Sequence, residues 1–308
     1  MFFCVIENTI SNNAKVGEKM SGIYEVIRYF PIDIYNILKN IFEDNKIIRE
    51  SIEEIRIRVQ KPIILKLRYE DVVLNHIVDQ REILQTLEKI CENSIYAYKN
   101  QICEGFITVK GGHRVGITGT AVEENGKIIN LKYVTSLNFR IARQVLNCSN
   151  KIIKEILDLE NHTIFTTLIV SPPGKGKTTI LRDTIRRISN GMENLNFKGK
   201  TCGVVDERGE IAAMYKGIPQ NDVGMRTDVI ENVSKYKGMK ILIRTMAPEI
   251  IACDEIGSKE DVEAIKEATT AGIKGIFTMH GRNIEDVKNN KEIYQLIENK
   301  QIEKIVFI

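Results

Sequence analysis

The sequence predicts an α/β protein whose second half is built on a parallel sheet, preceded by a smaller α+β N-terminal domain. Three observations carry this. After residue 150 apolar runs alternate with helical patterns, as where Ile164 to Val170 leads through a glycine-rich turn into a helical stretch reaching about Ser189. The runs are nearly continuous in apolar residues, as strands buried on both faces require. Before residue 150 the runs are short and tightly joined: Phe106 to Lys110 and His113 to Ile117 flank Gly111-Gly112, and Asn125-Gly126 marks a second turn.

Taken in order, Val26, Ile27, Phe30, Ile34, Leu38 and Ile41 have the spacing of helices around Pro31. Ile55, Ile57 and Val59 alternate as a strand does, with two more strands expected over 62–67 and 71–77 and a helix from Gln80 to about Glu92. A polar joint around Asn147 to Asn150 sets the domain boundary, giving residues 1–149 to the α+β domain and 150–308 to the α/β domain. Met20-Ser21-Gly22 offers an alternative start, which would leave residues 1–19 as a disordered tail.

At 308 residues, two domains are the natural expectation. Hydrophobic residues at 43% and charged ones at 28% describe a globular chain with an ample core. A net charge of +3 is too small a footprint for direct binding of nucleic acid or anionic lipid. The six cysteines form no C-x-x-C pair, which points to a reducing compartment and to neither disulfides nor zinc. No apolar stretch approaches the roughly 18 residues of a membrane span, and the first residues lack the basic flank of a secretory signal. The expected location is cytoplasmic.

The chemistry concentrates at Ser171-Pro172-Pro173-Gly174-Lys175-Gly176-Lys177-Thr178-Thr179. A glycine-rich turn between strand and helix aims successive backbone N–H groups into one concavity at the positive end of the helix dipole. That geometry holds the phosphates of ATP, with Lys177 reaching the β- and γ-phosphates and the Thr178 hydroxyl completing a Mg2+ shell. Ser171 stands where the G-x-x-x-x-G-K-[ST] pattern has its first glycine, a position expected to need a tight turn. Downstream, Glu249 to Cys253 runs into Asp254 and Glu255. Ligands bind beyond the carboxyl ends of parallel strands, so Asp254 is placed to hold the metal through its water shell and Glu255 to orient the attacking water. Two further runs end in polar groups, Val204-Val205-Asp206-Glu207-Arg208-Gly209-Glu210 and Gly275 to Gly281 with His280. Four successive strands thereby deliver polar residues to one sheet edge, which an active site requires.

In this order the elements resemble the RecA-like ATPases of type II and type IV secretion. Within that superfamily the chain is similar to the stage III sporulation protein AA family of endospore-forming Firmicutes. The likeness covers roughly residues 22 to 308. It includes Glu53-Glu54-Ile55-Arg56-Ile57-Arg58, Ser94-Ile95-Tyr96-Ala97-Tyr98, Gly111-Gly112-His113-Arg114-Val115-Gly116, Asn138-Phe139-Arg140-Ile141-Ala142-Arg143 and Asp206 to Glu210. The resemblance implies a RecA-like P-loop NTPase domain, a homo-hexameric ring, and nucleotide lying between the two domains. It implies Arg140 and Arg143 as charge-neutralising fingers, Arg114 as a nucleotide contact and Arg244 as a γ-phosphate sensor. A surface ion pair is the alternative for each, and for Arg244 a helix C-terminal charge. Asp206 joins Thr178 and Asp254 around the metal, and Glu207 and His280 join Glu255 as catalytic candidates. The implied role is ATP hydrolysis in the mother-cell cytoplasm, powering a channel to the forespore and docking through membrane-anchored proteins of the same complex. The closing Lys304-Ile305-Val306-Phe307-Ile308 departs from the family by stopping in mid-strand. Two rival readings are a RecA-like nucleic-acid motor, which the near-neutral charge disfavours, and a nucleotide-dependent scaffold without turnover, which the Asp254-Glu255 pair disfavours.

Overall fold

A computed structural model describes residues 4–5 and 22–308. Apart from Cys4–Val5, the expected tail over 1–19 lies outside the described residues. The chain divides into two compact units.

One unit comprises residues 22–143 together with 215–220. Its six strands are β1 (Ile52–Arg58), β2 (Pro62–Leu67), β3 (Asp71–Ile77), β4 (Phe106–Val109), β5 (His113–Glu124) and β6 (Lys127–Arg140). They form one antiparallel sheet in the order β3-β2-β1-β6-β5-β4. Alternation fixes the register: Ile55, Ile57, Leu137, Phe139, Val115 and Ile117 turn to the core, and Glu54, Arg56, Arg114 and Arg140 occupy the alternate positions. The helices are α1 (Gly22–Ile27), α2 (Ile32–Asp44), α3 (Lys46–Ser51), α4 (Gln80–Ile90) and α5 (Lys99–Cys103). α1, α2 and α4 supply Val26, Ile27, Ile34, Leu38, Phe42, Ile83 and Leu87 to the same core, and Phe30 lies 4.6 Å from Phe139 between ring centroids. Each such fully buried side chain stabilises the unit by about 1.5–3 kcal/mol. α4 starts on a reciprocal cap between Asp79 and Glu82. It stops two residues short of the expected Glu92, because Glu92 and Asn93 take left-handed φ values of 50° and 63°. The long β5–β6 hairpin turns at Asn125 and Gly126, whose φ values of 52° and 73° fit a type I′ turn.

The other unit comprises 144–214 and 221–308, with Cys4–Val5. Its principal strands are β7 (Thr167–Ser171), β8 (Cys202–Asp206), β9 (Thr227–Glu231), β10 (Ile250–Cys253), β11 (Lys274–His280) and β12 (Lys304–Phe307). With Cys4–Val5 beside β12 they form a parallel sheet, continuing β12-β7-β11-β10-β8-β9. Every residue of β7, β8 and β10 is buried, which explains their continuous apolar sequence. β7 begins at Thr167 because Thr163–Ile164 pairs instead with Leu157–Asp158. The longer helices are α6 (Lys177–Asn190), α7 (Lys235–Thr245), α8 (Lys259–Thr270), α9 (Ile284–Asn289) and α10 (Lys291–Glu298). Leu181, Ile185 and Ile188 of α6 join the core built around Ile169, Val204 and Ala252; Met239, Val262, Ile265, Leu296 and Ile297 join that around Leu168, Ile251 and Phe277. The parallel register brings the carboxyl ends of β7, β8, β9, β10 and β11 to one edge of the sheet.

Candidate active site

The loop between β7 and α6 begins the site. Gly174 and Gly176 take φ values of 75° and 85°, and a Cβ added to either would meet nothing within 4 Å. Glycine is needed there for its backbone conformation, not for space. Gly176 sits at the N-cap of α6 without a side-chain cap, so the first N–H groups of the helix remain available to an anion. Ser171 is the last residue of β7, buried and paired in register with His280. Its φ is not left-handed, and its hydroxyl donates to the Pro172 carbonyl at 3.0 Å. The tight turn therefore falls at residues 174 and 176, and serine is compatible with the first position of the motif.

Lys177 is buried and connects the loop to the rest of the edge. Its Nζ donates to the Ser171 carbonyl at 3.3 Å and to His280 Nδ1 at 2.7 Å. His280 Nε2 lies 2.8 Å from Oε1 of Glu255, and the Arg208 guanidinium donates to Oε2 of the same carboxylate at 2.7 Å. Lysine has only protons to give, so His280 accepts at Nδ1 and carries its proton at Nε2, facing Glu255. Burial lowers the Lys177 pKa, opposed by the charges of Glu255 and Asp254. Glu255 itself takes a left-handed φ of 48°, strained for a residue with a side chain. Its N–H is held by the buried Thr278 hydroxyl at 2.9 Å, and the next N–H by the Thr278 carbonyl at 2.8 Å.

Asp254 is buried, and its Oδ2 has no hydrogen-bond partner. Burial, reinforced by Asp206 and Glu210, pushes its pKa up to about 6. An orphaned carboxylate oxygen in a cluster of like charges suits a cation. Among the described residues no group of three or more His, Cys, Asp or Glu side chains could hold a metal ion. Mg2+ keeps most of its waters and takes one or two protein ligands beside phosphate oxygens, a demand the orphaned Asp254 Oδ2 can meet.

Asp206, expected beside the metal, faces the backbone of the loop that follows it. Its carboxylate accepts four hydrogen bonds of 2.7–3.1 Å from the backbone N–H groups of Glu210, Ile211 and Ala212. Arg182 of α6 grips the same loop from its carbonyl side, donating to Glu210 O and Ile211 O at 2.6 Å. Asp206 and Arg182 thus fasten the loop from its N–H and carbonyl sides. Glu207 pairs with Lys235 at the start of α7. Burial opposes the charge on Lys235, but the bond to Glu207 prevails and raises its pKa. Glu231, opposite Asp206 at the end of β9, is raised by burial and by that neighbour.

Arg244 is not brought to this edge. It is exposed in the last turn of α7, which leads into the start of β10, at the opposite end of the strands from Asp254. Arg114, Arg140 and Arg143 belong to the antiparallel unit. Arg140 is exposed at the end of β6, opposite Glu54 and Arg114. The Arg114 guanidinium lies 4.4 Å from the Phe106 ring centroid. Arg143 donates to the Ile52 carbonyl at 2.9 Å and to Arg49 O at 3.4 Å. Sequence reasoning assigned no roles to Arg208, Arg182, Lys235 and Thr278. Arg208 lay inside a recognised motif, whereas the pairings of the other three follow only from the fold.

A family model described as "Sporulation stage III, protein AA" matches residues 29–308. Stage III sporulation protein AA of Bacillus subtilis is 36% identical over 280 residues, covering 91% of this chain and 89% of that protein. Type II secretion system protein E of Pseudomonas aeruginosa is 23% identical over 239 residues, covering 76% of this chain and 45% of that one. Among solved structures, the Legionella pneumophila ATPase DotB aligns with a TM-score of 0.53 at 14% identity, over 85% of this chain and 72% of that chain. The pilus retraction motor PilT with bound ADP aligns with a TM-score of 0.51 at 16% identity, over 83% and 71%. These structural likenesses establish the shared fold, an α/β unit with a parallel sheet joined to an antiparallel one.

Proposed function

The chain belongs to the sporulation stage III, protein AA family, and on that premise we propose that it is a Mg2+-dependent ATPase driving a secretion-type machine of sporulation. The observation that carries the reading is the bonded chain from Lys177 through His280 to Glu255, with links of 2.7 and 2.8 Å. It sets a phosphate-binding lysine and a water-orienting carboxylate on opposite sides of one imidazole, at the mouth of a loop shaped for phosphates. Residues 172–176 and the first turn of α6 hold the phosphates through backbone N–H groups, with Lys177 as their counter-charge. Thr178 and Asp254 hold the metal, which when bound neutralises charge on the β- and γ-phosphates. Glu255 orients water for in-line attack, and His280 and Glu207 line the same edge. Phosphoryl transfer asks mainly for positioning and charge neutralisation, which these residues supply. Arg140 and Arg114 stay the candidates for the finger role, since Arg143 donates to two carbonyls of its own unit.

A homo-oligomeric ring, docked through membrane-anchored partners, completes the proposal; among the described residues no helix is long and apolar enough to cross a membrane. The test is steady-state ATP hydrolysis against protein concentration, with Lys177→Ala and Glu255→Gln in parallel. Expected are a specific activity that rises with concentration, loss of nucleotide binding in the first variant, and retained binding without turnover in the second. One observation favours a second reading, a scaffold that binds nucleotide without hydrolysing it: both oxygens of Glu255 are already engaged. Equal, negligible turnover in wild type and Glu255→Gln, with binding intact, would select it.

A further inference from the structure

The side chains between Lys177 and Arg208 form an unbroken relay: ammonium, imidazole, carboxylate, guanidinium. As it stands, this relay works against hydrolysis. A carboxylate whose two oxygens already accept an imidazole and a guanidinium proton has its lone pairs turned to those donors and away from water. The Lys177 ammonium faces His280 although its role is to meet phosphate.

Resting on the ATPase reading, we propose that this relay is a phosphate-sensing latch in which Arg208 is a positioning residue for Glu255. Phosphate oxygens arriving at the loop compete for the Lys177 ammonium and remove the donor at His280 Nδ1. The imidazole loses one of its two anchors, and its side chain, 47% exposed, has solvent to turn toward. Oε1 of Glu255 then becomes free for water. Oε2 stays on Arg208, whose fixed fork keeps the carboxylate aimed. The left-handed backbone at Glu255, gripped by Thr278, leaves the side chain as the only part of the residue that must move. Binding and activation are thereby coupled over one side chain, without displacement of a strand.

Two measurements test this. The protein has four histidines, so 15N imidazole spectra of the full chain are assignable with a His280→Gln reference. The nucleotide-free protein is expected to show His280 with its proton on Nε2 and Nδ1 shifted by an accepted hydrogen bond. Addition of Mg2+ and the non-hydrolysable analogue AMPPNP is expected to move Nδ1 toward the unbonded range. Calorimetry on the same samples reports binding independently. Binding with His280 unmoved, or a resting proton on Nδ1, overturns the latch and leaves the ATPase reading standing; no binding at all overturns both. For Arg208→Ala, kcat is expected to fall about 10-fold or more while KM for ATP stays within about twofold, since positioning acts chiefly beyond the bound state. Arg208→Lys is expected to restore part of the loss. An unchanged kcat, or a loss carried by KM with thermal stability lowered in step, would overturn the positioning role.

Discussion

Asp254 is a buried charge flanked by other carboxylates and without a partner at Oδ2. A carboxyl held at about 6 instead of its ordinary 3.8 costs the folded, ionised state about 2–3 kcal/mol. The sign is fixed by proton binding. Between those values the folded protein holds more protons than the unfolded chain, so stability falls as pH rises through that window. Asp254→Asn is therefore expected to stabilise the nucleotide-free protein by about 1–3 kcal/mol at pH 7 and by almost nothing near pH 4. Urea denaturation of both proteins at several pH values measures it, and a destabilised variant at pH 7 would show that the carboxylate has a stabilising partner. The carboxylate was legible in the sequence as the end of an apolar run; its isolation was not, because that depends on Asp206 and Glu210 arriving from another strand. Ser171 teaches the reverse. Its departure from the motif suggested a strained turn, yet the residue is extended, so Ser171→Gly is expected to leave nucleotide affinity within about twofold and lower stability by about 0.5–1 kcal/mol. Gly176→Ala, at φ 85°, is expected to cost about 1–2 kcal/mol and weaken binding, as a titration with a fluorescent nucleotide would show.

Among the elements, the loop after β8 is where pattern and structure part. Acids at a strand end suggest a polar site in the sequence, whereas Asp206 faces inward to the backbone of 210–212. A carboxylate after a strand looks the same in sequence whether it serves a metal or a loop; only the N–H groups that converge on it decide. Asp206→Ala would leave the buried N–H groups of Ile211 and Ala212 and the half-buried one of Glu210 without this acceptor, beside the Arg182 grip. A loss of about 2–4 kcal/mol is expected, with faster hydrogen exchange at Ile211 and Ala212. Unchanged stability with weakened Mg2+ binding would return Asp206 to the metal. Elements fixed by local pattern were legible throughout: β7, α6, the Asn125-Gly126 hairpin and the capped start of α4. Arg244 shows the limit of that legibility, since its end of the sheet depends on strand direction and not on neighbouring residues.

At the scale of the molecule, the small net charge of +3 bears on the nucleic-acid alternative. Binding driven by phosphate contacts weakens steeply with salt. Fluorescence anisotropy is expected to detect no salt-dependent affinity for single-stranded DNA or RNA, and a steep salt dependence would revive that alternative. The chain divides into two compact units. What local pattern does not reveal is that Tyr215–Gln220 belongs with the antiparallel unit. Tyr215 and Lys216 bind Glu92, and Gln220 accepts from the Gly111 N–H, across separations of more than a hundred residues. From residue 22 onward the chain passes between the units after Arg143, after Met214 and after Gln220. Neither unit is therefore a contiguous cassette. A gene fusion that exchanged the front half between two relatives at a single junction would leave a short patch of the wrong parentage inside it. Viable chimaeras should be those in which both stretches travel together.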